Sequence, residues 1–91
     1  MQLTTAEQLA QIKLALGIGA GIPDATLNVW LSDVKDFMKN AGVPVSVINS
    51  DTTIGTLARG VSDIWNYGDS ASYSNVFKMR VSQLALGATK Q

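Results

Sequence analysis

The 91-residue chain contains no cysteine and no histidine. Without cysteine it can form no disulfide and no thiolate metal site, and it has no thiol nucleophile. Without histidine it lacks the commonest general base and the commonest transition-metal ligand. Two acidic residues, Asp33 and Asp36, lie one helical turn apart, but this spacing is common on solvated helix surfaces. We therefore expect no enzyme, no catalytic residue, no metal and no cofactor.

Charge is scarce as well. Only 15% of the residues are charged and the net charge is zero, whereas an average soluble domain is about 25% charged. A subunit covered by its neighbours needs little solvating charge, and a surface rich in Ser, Thr and Asn explains the same composition equally well. A chain with no net charge also lacks the excess of basic residues with which proteins bind the phosphates of nucleic acid.

Long hydrophobic runs are missing too. No apolar stretch approaches the roughly 18 residues that a membrane span needs. The first seven residues are mostly polar, with no basic segment leading into a long apolar one, so we expect no signal peptide and a cytosolic origin. The length suits one small domain over residues 1–91.

Apolar residues recur every three or four positions in four segments, which predicts an all-α bundle of four main helices with short connections. A capping box of Thr4 and Glu7 begins the first helix, and Gly17 ends it. Pro44 favours one extra helical turn near residue 45, although the alternating valines there also fit a short strand. The first two predicted helices span residues 5–16 and 24–40, and Asp24 is predicted to cap the second. The third is predicted to follow a cap at Ser50 or Asp51 and to end at residue 66 or 67. The fourth is predicted to begin at its cap Ser74 and to stop at Gly87.

Two kinds of residue on these helices carry packing predictions. Gly55 and Gly60 lie inside the third helix, where each costs about 1 kcal/mol relative to alanine, so we expect another backbone to come close there. Aromatic side chains on the apolar faces are expected in the core, and truncating Trp65 to alanine is expected to cost about 3–5 kcal/mol. These aromatic residues are Trp30, Phe37, Trp65 and Phe77.

The glycine-rich segment 17–24, GIGAGIPD, invites comparison with a phosphate-binding loop. A dinucleotide-binding fingerprint needs glycine at the sixth position, where Ile22 stands, and it needs a preceding strand, which the pattern does not predict. We interpret this segment as a connecting loop.

Four stretches follow one another with short gaps: LAQIKLALGI, DATLNVWLSDVKDFMKNAGV, SDTTIGTLARGVSDIWNYG and SNVFKMRVSQLAL. In this order and spacing the chain resembles the small helical head–tail connector (adaptor) proteins of tailed bacteriophages, a group also described as DNA-packaging proteins. The resemblance covers most of the chain and is strongest in the third stretch. One departure is the glycine-rich turn at 17–21, where relatives often carry a more acidic one.

The resemblance implies a structural virion protein. Members of this family form a ring beneath the portal at the capsid vertex, and the ring is expected to be a dodecamer like the portal itself. It extends the DNA channel and presents a surface to a downstream neck or tail-completion protein, while DNA passes through without sequence-specific binding. The implied location is the virion neck, with assembly in the host cytoplasm and no membrane.

The interface residues are predicted from charge and from the resemblance. Arg59 and Asp63 are four residues apart and are expected on the outer flank of the third helix, and Arg80 lies where the family places an arginine. We expect these three to fix packing between the third and fourth helices or between adjacent subunits, so that charge reversal at Asp63 leaves an isolated subunit folded. The opposing interpretation is that they are ordinary surface charges. The polar tail is expected to order against the portal: Gly87, Ala88, Thr89, Lys90 and Gln91.

Two other functions remain open at this point. A small helical DNA-binding or regulatory domain would need a basic recognition helix, and the last helix offers only Lys78 and Arg80. A helical interaction module of the same fold differs from a connector only through the resemblance.

Overall fold

The computed structural model describes residues 1–17, 22–67 and 73–89. Within these ranges the chain is all-α, with an isolated bridge between Gln2 and Ser50 and no strand. The predicted bundle of four main helices with one extra helical turn is confirmed. The elements are α1 (Thr5–Leu16), α2 (Asp24–Asn40), α3 (Val45–Ile48), a 3-10 turn (Asp51–Thr53), α4 (Ile54–Tyr67) and α5 (Asn75–Thr89).

Helix α1 begins and ends at the residues that its local signals predict. The Thr4 hydroxyl accepts a hydrogen bond from the backbone N–H of Glu7 at 3.2 Å, and the Glu7 carboxylate accepts one from the backbone N–H of Thr4 at 2.9 Å. Gly17 follows the helix in the left-handed conformation, with φ of 68°. The capping box thus gives the backbone N–H groups of Thr4 and Glu7 hydrogen-bond partners, and the N–H of Gly17 donates to carbonyls in the last turn of α1.

Prolines precede two of the other helices. Pro23 is the N-cap of α2 and Asp24 is its first helical residue, so the prediction that Asp24 caps this helix is wrong. Pro44 likewise caps the single turn α3, which confirms a turn rather than a strand near residue 45. Because the proline ring fixes φ near −65°, each proline sets the direction in which the chain enters its helix. Gly42, with φ of 100°, makes the bend between α2 and α3.

The ends of α4 and α5 agree with the sequence only in part. The Ser50 hydroxyl accepts from the backbone N–H of Thr52 and caps the 3-10 turn that leads into α4. Helix α5 continues through Gly87 to Thr89, so the prediction that it stops at Gly87 is wrong. A glycine ends a helix when it adopts the left-handed conformation, and among the described glycines only Gly17 and Gly42 have positive φ.

Helix α4 lies at the centre of the bundle and packs against α1, α2 and α5. Each of these helices contributes an apolar face, and together they form one continuous core. Burial of such apolar surface is the main source of stability for a domain of this size. The buried apolar residues are Ile12, Leu27, Leu31, Val34, Met38, Val43, Ile48, Leu57, Ala58, Val61, Phe77 and Val81.

The four aromatic residues predicted for the core differ in burial. Phe77 is fully buried, and Trp30 and Phe37 are half-buried against the core cluster. Trp65 is 44% exposed, so its assignment to the core is wrong. Helical spacing identifies the apolar side of a helix, but that side is covered only where a neighbouring element extends over it. The expected loss on truncating Trp65 is correspondingly smaller.

Gly60 is the point where three helices meet. A Cβ atom added to Gly60 would lie 2.7 Å from Cε1 of Phe77 on α5, and 2.8 and 2.9 Å from the two methyl carbons of Val34 on α2. A close approach is present at this glycine, but side chains of the same subunit make it, so the prediction of a second backbone there is wrong. Gly55 has nothing within 4 Å of such an atom, so the same expectation is wrong there.

The Gly60→Ala variant is expected to be less stable than the wild-type protein by about 1–2 kcal/mol. The stiff Val34 side chain and the Phe77 ring must move, and overpacking of this kind costs about 1–3 kcal/mol, which exceeds the gain of up to about 1 kcal/mol in helix propensity. Gly55→Ala is the matched control in the same helix, and there only the propensity gain remains. Urea denaturation of both variants measures the difference. Equal stabilisation by the two alanines would contradict the close packing at Gly60.

Candidate subunit interface

Asp63 is a buried residue that joins α4 to the start of α5. Its side chain is only 3% exposed, and its Oδ2 accepts a hydrogen bond from the backbone N–H of Ser74 at 3.0 Å. The Ser74 hydroxyl in turn accepts from the backbone N–H of Phe77 at 3.2 Å, which confirms Ser74 as the cap of α5. The expectation that Asp63 lies on the outer flank of the helix is therefore wrong.

Arg59 lies beside Asp63 at the edge of the same cluster. Its Nε is 3.8 Å from Oδ1 of Asp63 and donates a long hydrogen bond of 3.5 Å to the Ser74 hydroxyl. The Arg59 side chain is half exposed, so solvent screens this pair and its contribution to stability is small. Arg59 and Asp63 thus hold α4 and α5 together within one subunit, and contact with another subunit stays a prediction.

The other residues predicted for the interface lie along α5. Arg80 is exposed and has no ion pair or hydrogen bond with another described residue. Gly87 is exposed on the last turn of α5, and Ala88 and Thr89 belong to the same turn. Lys90 and Gln91 lie outside the described residues. Arg80 and Gly87 are thus separated from the Arg59–Asp63 cluster, which contacts the opposite end of α5.

The outer stripe of α5 consists of the exposed side chains of Val76, Met79, Gln83 and Leu86. Its apolar residues Val76, Met79 and Leu86 are 52%, 62% and 60% exposed. The spacing of three, four and three residues places all four on one side of the helix, opposite the buried Phe77 and Val81. A shallow open depression lies on the same side of the helix. It is lined by three residues of the stripe, Val76, Met79 and Gln83, and by Arg80 at the edge of the stripe.

The outer face of α2 is a second exposed surface, with the opposite charge. Val29 is 61% exposed, and Asp33 and Asp36 follow it at intervals of four and three residues. This spacing places the three residues together on the side of α2 that faces away from the core. Neither aspartate has an ion pair with another described residue. The outer face of α2 therefore carries two carboxylates beside one exposed valine.

A polar group in the interior connects α1, α2 and the residue after α3. Gln8 is fully buried, accepts a hydrogen bond from Nζ of Lys35 at 2.5 Å, and donates one to the side chain of Asn49 at 3.2 Å. Partial burial of Lys35 lowers the pKa of its ammonium group below the ordinary value. The residues of this network are far apart in sequence, at positions 8, 35 and 49, so the local pattern carries no signal for it.

Tyr73 lies between α2 and α5 in a cluster of rings. Its ring centroid is 4.7 Å from that of Phe37 and 4.6 Å from that of Phe77. Burial raises the pKa of the Tyr73 hydroxyl, and the negative charges of Asp33 and Asp63 raise it further. The phenol therefore stays protonated at neutral pH, and the cluster serves to pack α5 onto α2.

The described residues include no group of three acidic side chains close enough to hold a metal ion. None of the helices that the structure describes has the length and apolarity needed to cross a bilayer. Comparison with protein-family models, curated proteins and solved structures gives no match to this chain. The outer stripe of α5 and the outer face of α2 are two exposed surfaces that carry large apolar side chains.

Replacing Asp63 with alanine is expected to destabilise the isolated subunit by about 1–3 kcal/mol, because the part-buried N–H of Ser74 loses its acceptor. Charge reversal at Asp63 is expected to cost at least as much, contrary to the expectation from sequence. Asp36→Ala is the control, since Asp36 is exposed and substitution there changes stability by within about 0.5 kcal/mol. Thermal unfolding followed by circular dichroism measures both. Similar melting curves for the two variants would contradict the role of Asp63 in holding α5.

Proposed function

We propose that this chain is a structural subunit of a bacteriophage head–tail adaptor ring, which lies beneath the portal and extends the DNA channel towards neck or tail components. The proposal starts from the resemblance of four segments to that family. These segments correspond to α1, α2, α4 with the turn before it, and α5, so the resemblance follows the helices that form the core.

The observation that carries the proposal is the outer stripe of α5. Val76, Met79 and Leu86 are each more than half exposed on one side of a helix whose other side is fully packed. Scattered single apolar residues are normal on a protein surface, whereas a contiguous group is typical of a contact with another protein. A ring subunit has neighbours on two sides and partners above and below, so it has reason to expose such a group.

The charge distribution supports the same proposal. The chain has seven basic and seven acidic residues, and three described ion pairs join opposite charges within the subunit. A neutral wall holds DNA weakly, because non-specific affinity for DNA comes mostly from cations on phosphates. Such a wall suits a channel through which DNA must slide.

The DNA-binding alternative finds little support in α5. Lys78 and Arg80 are two residues apart on the helix, which separates them by about 160° around its axis. They therefore cannot enter the same groove of DNA together: the buried Phe77 and Val81 lie between them on one side of the helix, and exposed apolar residues lie between them on the other. A recognition helix requires its polar and basic side chains on one side.

Electron microscopy of the protein mixed with portal rings from the phage that encodes it tests the proposal. Wild-type protein is expected to add a ring of density, expected to be twelvefold, at the narrow end of the portal. Met79→Asp places a charge in the outer stripe of α5 and is expected to abolish this density without unfolding the subunit. Thr5→Asp is the control, because it adds the same charge at the start of α1, where a helix tolerates it well.

Two results would contradict the proposal. One is a portal that remains bare with folded wild-type protein in excess. The other is binding of duplex DNA whose affinity falls steeply with salt concentration, since that dependence indicates phosphate contacts rather than a passive channel wall.

A further inference from the structure

We propose that neighbouring copies of this chain pair head to tail. In this arrangement the outer stripe of α5 in one copy lies on the outer face of α2 in the next, with Arg80, at the edge of the stripe, paired to Asp33. This inference rests on the proposed function for the statement that the chain assembles into a ring, and it names the two surfaces that make the contact.

The first support is the set of charges left without partners. Ion pairs within the subunit join Lys13 to Asp24, the N-terminal amine to Asp51, and Arg59 to Asp63. Glu7 and Lys35 have no ion pair either, but each is hydrogen-bonded within the subunit. Among the described residues, the charged side chains with neither kind of partner are two carboxylates on α2, two cations on α5 and one cation on α2: Asp33, Asp36, Lys78, Arg80 and Lys39.

The outer face of α2 and the outer side of α5 therefore carry unpaired charges of opposite sign. Helix α5 has no acidic residue along its 15 residues, so its charged residues Lys78 and Arg80 find no opposite charge on the α5 of a second copy. On α2, Lys39 is three residues after Asp36 and six after Asp33, which places it about 60° and 120° around the helix from them. The acidic side of α2 is thus distinct from its basic edge and is complementary to α5.

The second support is a shared spacing. The outer face of α2 has Val29, Asp33 and Asp36 at intervals of four and three residues, and α5 repeats these intervals with Val76, Arg80 and Gln83. Each run is about 10.5 Å long. Each has a valine at one end, a charge in the middle and a polar group at the other end. If α2 and α5 pack side by side with these runs aligned, Asp33 and Arg80 lie within about one residue of the same height along the helix axes, whether the helices run in the same or in opposite directions.

The third support is that these surfaces do not meet in the described part of one subunit. A Cβ atom on Gly42, in the bend after α2, would lie 3.8 Å from Cβ of Ala85, and the ring of Phe77 lies 5.6 Å from that of Phe37 on α2, so Ala85 and Phe77 mark the side of α5 that faces α2. Val76 lies about 180° from Ala85 and about 100° from Phe77 around α5. Arg80 lies about 60° from Phe77, but it has no ion pair with Asp33 or with any other described carboxylate. Pairing between Arg80 and Asp33 therefore needs a second copy.

The type of contact determines the type of assembly. Two different surfaces that meet form a heterologous interface, which closes into a ring when the rotation between copies is suitable. Arginine suits such a contact because its planar guanidinium can hold a carboxylate with two parallel hydrogen bonds. The exposed Val29, Val76 and Met79 beside this pair would exclude water from it and strengthen the attraction.

Cysteine cross-linking tests the contact directly, because the chain has no cysteine and each introduced thiol is the only one. Val29→Cys mixed with Val76→Cys is expected to form a disulfide-linked dimer under mild oxidation if the helices run in the same direction. Val29→Cys mixed with Gln83→Cys is expected to do so if they run in opposite directions. Each single variant alone is expected to remain a monomer on a denaturing gel. A chain carrying both cysteines is expected to give a ladder of covalent oligomers.

Charge exchange provides the second test. Asp33→Arg and Arg80→Asp are each expected to weaken self-association by about tenfold or more, and a chain with both changes is expected to regain it. Sedimentation velocity measures the mass of each species. Thr5→Cys mixed with Val76→Cys is the control for random collision and is expected to form no cross-link above background.

The outcomes separate this contact from the proposed function. Rings on portals from both the wild-type protein and the cysteine variants, with neither mixture forming a cross-link, would overturn the contact and leave the function standing. Cross-links and charge rescue with bare portals would support the contact and remove the function. Single cysteine variants that link to themselves would overturn the head-to-tail arrangement, as would a wild-type protein that stays monomeric at every concentration while neither mixture of cysteine variants forms a link.

Discussion

The absence of a side chain at Gly60 is the constraint on which the rest of the bundle depends. It lets Val34 of α2 and Phe77 of α5 reach the same point on α4, within the distance that one methyl group would occupy. A larger residue would separate one of these helices from the centre, because the packed side chains around it have no space to retreat. The cost of a glycine inside a helix is thus offset by the contact of three helices.

This packing determines which surfaces remain. Helix α4 packs against α1, α2 and α5, and among its large apolar residues Trp65, near its end, remains 44% exposed. Asp63 and Ser74 then fix where α5 begins, and that in turn fixes which of its sides faces solvent. The outer stripe of α5 and the outer face of α2 are therefore consequences of how the core is built, and a structural role for the chain depends on them.

Most of the fold could be predicted from sequence because the signals are local. Thr4 with Glu7, Gly17 and Ser74 mark helix ends through hydrogen bonds within four residues. The features that could not be predicted depend on distant parts of the chain. The exposure of Trp65 depends on which elements extend over it, and the burial of Asp63 depends on where the chain returns to begin α5. The outer stripe of α5 and the outer face of α2 could not be predicted for the same reason, because helical spacing does not reveal which side of a helix has no neighbouring element.

Oxidation of the three methionines in free and assembled protein tests the central claim most directly, because each has a different environment. Met1 is 79% exposed, Met79 is 62% exposed and Met38 is fully buried, and peroxide converts accessible methionine to its sulfoxide. In the free subunit, mass spectrometry is expected to find Met1 and Met79 oxidised and Met38 protected. In assembled rings Met79 is expected to become protected at least about tenfold while Met38 stays protected, as a water-excluding contact on α5 requires. Equal oxidation of Met79 in free and assembled protein would contradict the claim that α5 forms the subunit contact.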